Sequence, residues 1–101
     1  MNILFEWDEA KNRSNQRKHR VSFELASQVF LDPLSVSVQD RVVDGEVRWQ
    51  SFGVVEGMLL LMVAHTVCEE QDDGTWFEVV RIISARRAES IERKRYETQN
   101  G

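Results

Sequence analysis

Met58-Leu59-Leu60-Leu61-Met62-Val63-Ala64-His65-Thr66-Val67 is the stretch that decides the fold. It falls far short of the roughly 20 apolar residues a membrane span needs. It is also too continuous for a strand with one wet face, so it reads as a central strand buried on both sides. Turn signals bracket it: Glu56-Gly57 before, and Asp72-Asp73-Gly74-Thr75 after. Beyond the second turn, Trp76 to Ser84 reads as another strand. Ahead of the first, Leu34, Val36 and Val38 alternate with Ser35, Ser37 and Gln39, and Val47, Trp49 and the Phe52 region follow a Val43-Asp44-Gly45-Glu46 turn. Four strands joined by such short turns imply an antiparallel sheet.

Helices flank this block. Asp8 is a good N-cap, and Glu9 sits in the first turn, where the helix dipole favours an anion, so a helix is expected from about residue 8 to 19. Its interior, Ala10 to Lys18, is polar all round and offers no apolar stripe to hold it down. Ser22 caps a second helix, with Val21 placed to staple onto Ala26. Phe23, Ala26 and Phe30 recur at helical spacing until Asp32-Pro33 ends the run. Ala85 to Tyr96 reads as a closing helix with Ala88, Ile91 and Arg95 on one side. The expected fold class is α+β, with two N-terminal helices, a four-stranded antiparallel sheet and a C-terminal helix, in a single domain over residues 1–101.

Composition narrows the function. With 101 residues, 42% apolar and 30% charged, the chain supports one soluble hydrophobic core. A lone cysteine, Cys68, cannot form an internal disulfide, and His19 and His65 lack metal-ligand spacing, so neither a structural metal nor a cofactor is expected. Met1 leads into Asn-Ile-Leu-Phe-Glu rather than a signal peptide, which points to the cytoplasm and away from a membrane. The net charge of −4 conceals a segregation. Residues 11–20 carry five cations and no acid, and residues 81–95 carry six cations against Glu89 and Glu92. Residues 21–80 hold eleven carboxylates against Arg41 and Arg48. Two basic segments lying side by side would form a cationic patch that the overall charge hides.

Several residues carry chemistry within those segments. Lys11, Asn15, Lys18 and His19 share one helical face, and His19 lies in the last turn, where the dipole favours an imidazolium suited to an acid or a phosphate binder. Glu24 is the nearest carboxylate in sequence to His19. Trp7 is either a core residue or a base-stacking platform. Arg81 and Ser84 lie on the last strand and Arg86-Arg87 follow, a junction where guanidinium groups can grip phosphate oxygens bidentately. His65 reads as a core histidine and Cys68 as a small apolar filler.

Phe5-Glu6-Trp7-Asp8, Lys11, Asn15, Lys18-His19, Val21-Ser22-Phe23-Glu24, Ala26, Val29-Phe30 and Asp32-Pro33 closely resemble the opening of the BrnT family of bacterial toxins. Gly45-Glu46 with Arg48, Gly53, His65-Thr66, the run Arg81-Ile82-Ile83-Ser84-Ala85-Arg86-Arg87-Ala88, Glu92-Arg93 and Tyr96-Glu97 are similar to the rest of that family's signature. The resemblance implies a RelE-like fold and a type II toxin, a metal-independent endoribonuclease that blocks translation by cutting RNA. It implies a BrnA-like antitoxin as partner, which would reach operator DNA through its own ribbon-helix-helix domain. The chain departs from the family pattern at Arg20, where glycine is common, and at Cys68, where arginine is common; the latter weakens the expected charge at the site. On this reading Glu24 or His19 is the general base, His19 or Lys11 the acid, and Arg81 and Arg86 the phosphate clamps, while Trp7, Asn15, Lys18 and Arg87 bind RNA. The competing reading is a non-enzymatic or catalytically weakened module that binds RNA or the antitoxin.

Overall fold

The computed structural model describes residues 2–100. Strand β1 (Asn2–Glu6) leads into helix α1 (Glu9–His19), the short helix α2 (Phe23–Ser27) and a 3-10 turn (Gln28–Leu31). Strands β2 (Val36–Val43), β3 (Glu46–Val55), β4 (Leu59–Asp72) and β5 (Thr75–Arg87) follow, and helix α3 (Ser90–Asn100) closes the chain. The sheet order is β1-β5-β4-β3-β2. All pairs are antiparallel except β1 with β5, which is parallel.

The four strands and their turns stand close to where the sequence places them, but Leu34 falls outside β2 and Met58 outside β4, and both are exposed. Asp44-Gly45, Glu56-Gly57 and Asp73-Gly74 each supply two consecutive residues with positive φ, as the hairpin turn whose twist matches its strands requires. In β4, Leu60 to Val63 are buried, with Leu61 and Val63 on the face packed by Val21, Phe23, Ala26 and Val29. Val21 and Ala26 share this core, as a hydrophobic staple would have them. The 3-10 turn lies so close on β3 that a Cβ at Gly53 would stand 2.8 Å from the Val29 carbonyl oxygen, so only glycine fits there.

Three expectations need correction. The sheet has five strands and is mixed, because Ile3-Leu4-Phe5 adds an edge strand; a five-residue parallel strand has no hairpin turn to announce it. The second helix keeps α geometry only to Ser27 before tightening into the 3-10 turn. Ala85 to Arg87 are strand rather than helix. They pair with Val63, Met62 and Leu61, and burial of Ala85 together with this ladder outweighs helix propensity.

Helix α3 contains no buried residue, and Ile91 is exposed rather than facing the core. Polar ties hold the helix instead. Arg86 donates bidentately to Glu92 at 2.8 and 2.9 Å, the Tyr96 hydroxyl donates to Asp32 at 2.6 Å, and Asn100 donates to the Leu34 carbonyl at 2.9 Å. The bond from Arg86 holds the Glu92 carboxyl below its ordinary range. Burial, with the bond to Asp32, pushes the Tyr96 phenol up to about 12. Tyr96 is the only tyrosine, so its titration can be followed by absorbance. The native phenol is expected to ionise near pH 12, and Asp32→Asn should bring the midpoint back toward the ordinary 10. Because the native value is raised, this tie stabilises fully below pH 10 and is lost as pH climbs through 12. An unchanged midpoint in Asp32→Asn would remove the Tyr96–Asp32 bond from the account.

Candidate RNA cleft

The polar helix α1 is fastened by two buried asparagines. Asn12 accepts from the Phe23 amide at 2.8 Å and donates to Glu24 at 2.9 Å and Glu9 at 3.1 Å. Asn15 donates to the carbonyls of Val21 (2.9 Å) and Ala85 (2.8 Å) and accepts from the Ala85 amide at 3.1 Å. Each thereby satisfies its own amide and the backbone it meets. Asp8 caps the helix by accepting from the amides of Ala10 and Lys11.

Docked this way, α1 walls the first two of three adjoining clefts. One of about 330 Å³ is lined by Asp8, Lys11, Arg48, Arg81, Ile82 and Ile83. A second, of about 200 Å³, has Lys11, Ser14, Asn15, Lys18, His19, Ile83 and Ser84 on its walls. A third of similar size takes in Asp40, Arg41, Arg48, Ala64, Ile83 and Ser84. Shared walls make them one groove. Two β-bulges shape it. Ala64 pairs with Ser84 but His65 with Ile82, which leaves Ile83 as the extra residue of β5, and a register shift between Gln39 and Val42 marks the other beside Asp40-Arg41. The first bulge sets Ile83 and Ser84 side by side along the groove, and bulges serve to re-aim side chains at such places.

Two of the arginines that line the groove, Arg81 and Arg48, share one carboxylate. Glu46 Oε1 accepts from Arg81 Nη2 at 2.6 Å and lies 3.6 Å from Arg48 Nη2. Arg48 is half-buried, and its Nε is buried with no hydrogen-bond partner among the described residues. An unpaired buried donor of this kind is costly. Arg48 stands in the family signature but is not among the expected site residues, because a lone cation between Val47 and Trp49 looks like the wet face of a strand. The available signal was the period-two spacing of Glu46 and Arg48, which puts both on one face.

The structure gathers only some of the residues expected at the site. Lys11, Lys18, His19 and Arg81 line the groove, so the two basic segments meet there. Asn15 touches the groove, but its amide is spent on the backbone bonds that hold α1. Glu24 is exposed outside the groove, and its carboxylate accepts from Asn12 rather than facing His19. Trp7 packs edge-on to Phe23, with ring centroids 6.1 Å apart, and donates to Glu9, so it belongs to the core rim. Arg86 is taken up by Glu92 and Glu89, and Arg87 is exposed at the far end of β5. Cys68 is exposed on β4 rather than filling the core, its sulfur 4.0 Å from Glu70. His65 is buried. Its Nε2 lies 2.7 Å from the Ser51 hydroxyl and its Nδ1 3.3 Å from the Thr66 carbonyl, and burial holds its pKa below the ordinary value. Among the described residues, no group of three His, Cys, Asp or Glu is placed to hold a metal ion.

A small α+β domain with a cationic groove along one face of its sheet is a protein built to hold a polyanion. The chain belongs to the family described as "Ribonuclease toxin, BrnT, of type II toxin-antitoxin system", whose sequence model matches residues 7–92. It is therefore a ribonuclease toxin of a type II toxin-antitoxin pair, with RNA as target and an antitoxin as partner. The fold is similar to the 1.1 Å crystal structure of the Brucella abortus ribonuclease toxin BrnT. The TM-score is 0.56 at 22% identity, covering 89% of this chain and 100% of that one. No curated protein matches the chain.

Proposed function

We propose that the toxin cleaves RNA in the cytoplasm without a metal ion, with the scissile phosphate seated where Glu46 now bridges Arg81 and Arg48. The observation that carries this is the convergence of Arg81 and Arg48 on one partly exposed carboxylate, whose place a phosphate oxygen can take. Lys11 and the two arginines supply the positive charge that a developing pentacovalent phosphorus needs. A base takes the 2′-hydroxyl proton, the 2′-oxygen attacks the adjacent phosphorus, the P–O5′ bond breaks, and an acid protonates the leaving 5′-oxygen. His19 and Lys11, which share a wall of the groove, are the proton carriers in this scheme. Glu24 has no part in it because its carboxylate serves Asn12. The cut RNA halts translation, and a BrnA-like antitoxin that carries its own DNA-binding domain restrains the toxin.

RNA binding is then dominated by phosphate contacts and should weaken with salt. The expected slope of log affinity on log salt is about −0.7 per contact for a single strand, and Lys11→Ala should flatten it by about 0.7. Cleavage should persist in a chelator. A salt-insensitive affinity would mean that the groove does not hold the RNA backbone, and inactivation by the chelator would sink the metal-free scheme.

A further inference from the structure

A second groove lies on the opposite face of the sheet. Helix α2 and the 3-10 turn cover that face only around Leu61, Val63, Ile82 and Ala85. Past Phe30 the long arms of β4 and β5 continue uncovered, and a cavity of about 500 Å³ opens between Phe30, Trp49, Val67, Val80 and Ile3. Glu69 and Glu78 stand on its walls. Ile3 opposes Glu78 and Val67 opposes Val80 along its walls, and Trp76 lies beyond it on the same face, past the rung where Glu69 opposes Glu78. Ile3, Val67 and Trp76 are 38%, 37% and 52% exposed. Exposed apolar side chains on either side of a pair of carboxylates mark an interaction surface.

Charge selects the occupant. Residues 69–78 carry Glu69, Glu70, Asp72, Asp73 and Glu78 and no cation, so this end of the molecule repels RNA. It equally disfavours a two-fold contact with a second copy, which would set acid against acid. We propose that this groove is the seat of the antitoxin, gripped through a segment in which apolar side chains alternate with lysine or arginine. The inference rests on the family assignment for the existence of the partner, and on the groove alone for its chemistry.

Synthetic peptides test that chemistry, one alternating leucine with lysine and one alternating leucine with glutamate, followed by the fluorescence of Trp49 and Trp76. The lysine peptide should bind the full-length toxin, lose affinity in salt, and bind Glu78→Lys about tenfold more weakly. No binding, or equal binding of the glutamate peptide, overturns the assigned chemistry. In the co-purified toxin-antitoxin complex, Trp76→Glu should release the antitoxin while Arg81→Ala retains it, with melting curves verifying that both variants fold. The reverse pattern places the antitoxin in the cationic groove and overturns the proposal. A wild-type chain that runs as a dimer, turned monomeric by Trp76→Glu, makes a second copy the occupant and overturns it as well. RNA cleavage by Trp76→Glu and Glu78→Lys should stay at the wild-type level. Failure of this proposal is therefore separable from failure of the ribonuclease mechanism.

Discussion

Arg81→Ala is expected to lower RNA cleavage about 100-fold, the usual consequence of removing one preorganised donor from a transition-state charge. Arg48→Ala should do the same. The two guanidinium groups converge on a single carboxylate oxygen, so they also converge on whatever anion replaces it. Stability should hardly move in Arg81→Ala, since its side chain is 43% exposed and its ion pair with Glu46 is worth little in water. Arg81→Lys keeps the charge but not the planar fork and should fall between alanine and wild type. Arg86→Ala provides the contrast. Its guanidinium serves Glu92, so that variant should loosen α3 while leaving the groove's charge in place. Cleavage rates from a labelled RNA, measured beside melting curves, check all four variants. Wild-type rates in Arg81→Ala and Arg48→Ala would remove the Glu46 bridge from the active site.

Asn15→Ala is expected to cost about 3 kcal/mol of stability. The amide meets three backbone groups, the carbonyls of Val21 and Ala85 and the amide of Ala85, and truncation leaves all three buried without it. Each unpaired buried group costs roughly 1–3 kcal/mol, offset where water reaches it. For a domain of this size the melting temperature should drop by about 10–20 °C. Asn15→Asp should be no better, because a carboxylate would face two carbonyl oxygens in place of two N–H donors. Denaturant unfolding measures the effect directly, and a loss below about 1 kcal/mol would show that α1 is held by something other than this bond network.

These two sites mark the boundary of what the sequence makes legible. The hairpins could be read because each turn announces itself within two residues and because Met58 to Val67 has too little polarity for anything but a buried strand. Strand β1 could not, since a parallel edge strand is specified by a partner more than 70 positions away. The all-polar pattern of α1 gave no reason for a helix to dock there. Its fixing points, Asn12 and Asn15, are residues that composition assigns to solvent, and only the backbone they meet reveals their use. The cationic groove was half visible. Lys11, Lys18, His19 and Arg81 follow from the clustering of charge, whereas the separation of Arg81 from Arg86 depends on Glu92, which becomes a neighbour only after β5 ends and α3 begins. Cys68 misled for a similar reason, because the apolar run before it does not show that the hairpin arm has already left the core.

The end of α1 carries a further consequence. Arg20 caps the helix with φ at 58°, in the left-handed region, and donates its amide to the Gln16 carbonyl. Among the described residues, the other left-handed non-glycine residues sit in hairpins with a glycine beside them, whereas Arg20 has none beside it. A side chain in that conformation costs roughly 1 kcal/mol that glycine would avoid. The chain therefore holds an untapped reserve of stability at one backbone position, next to His19. It forgoes that reserve in favour of one more exposed cation at the end of α1, a local exchange of robustness for charge made within a single residue.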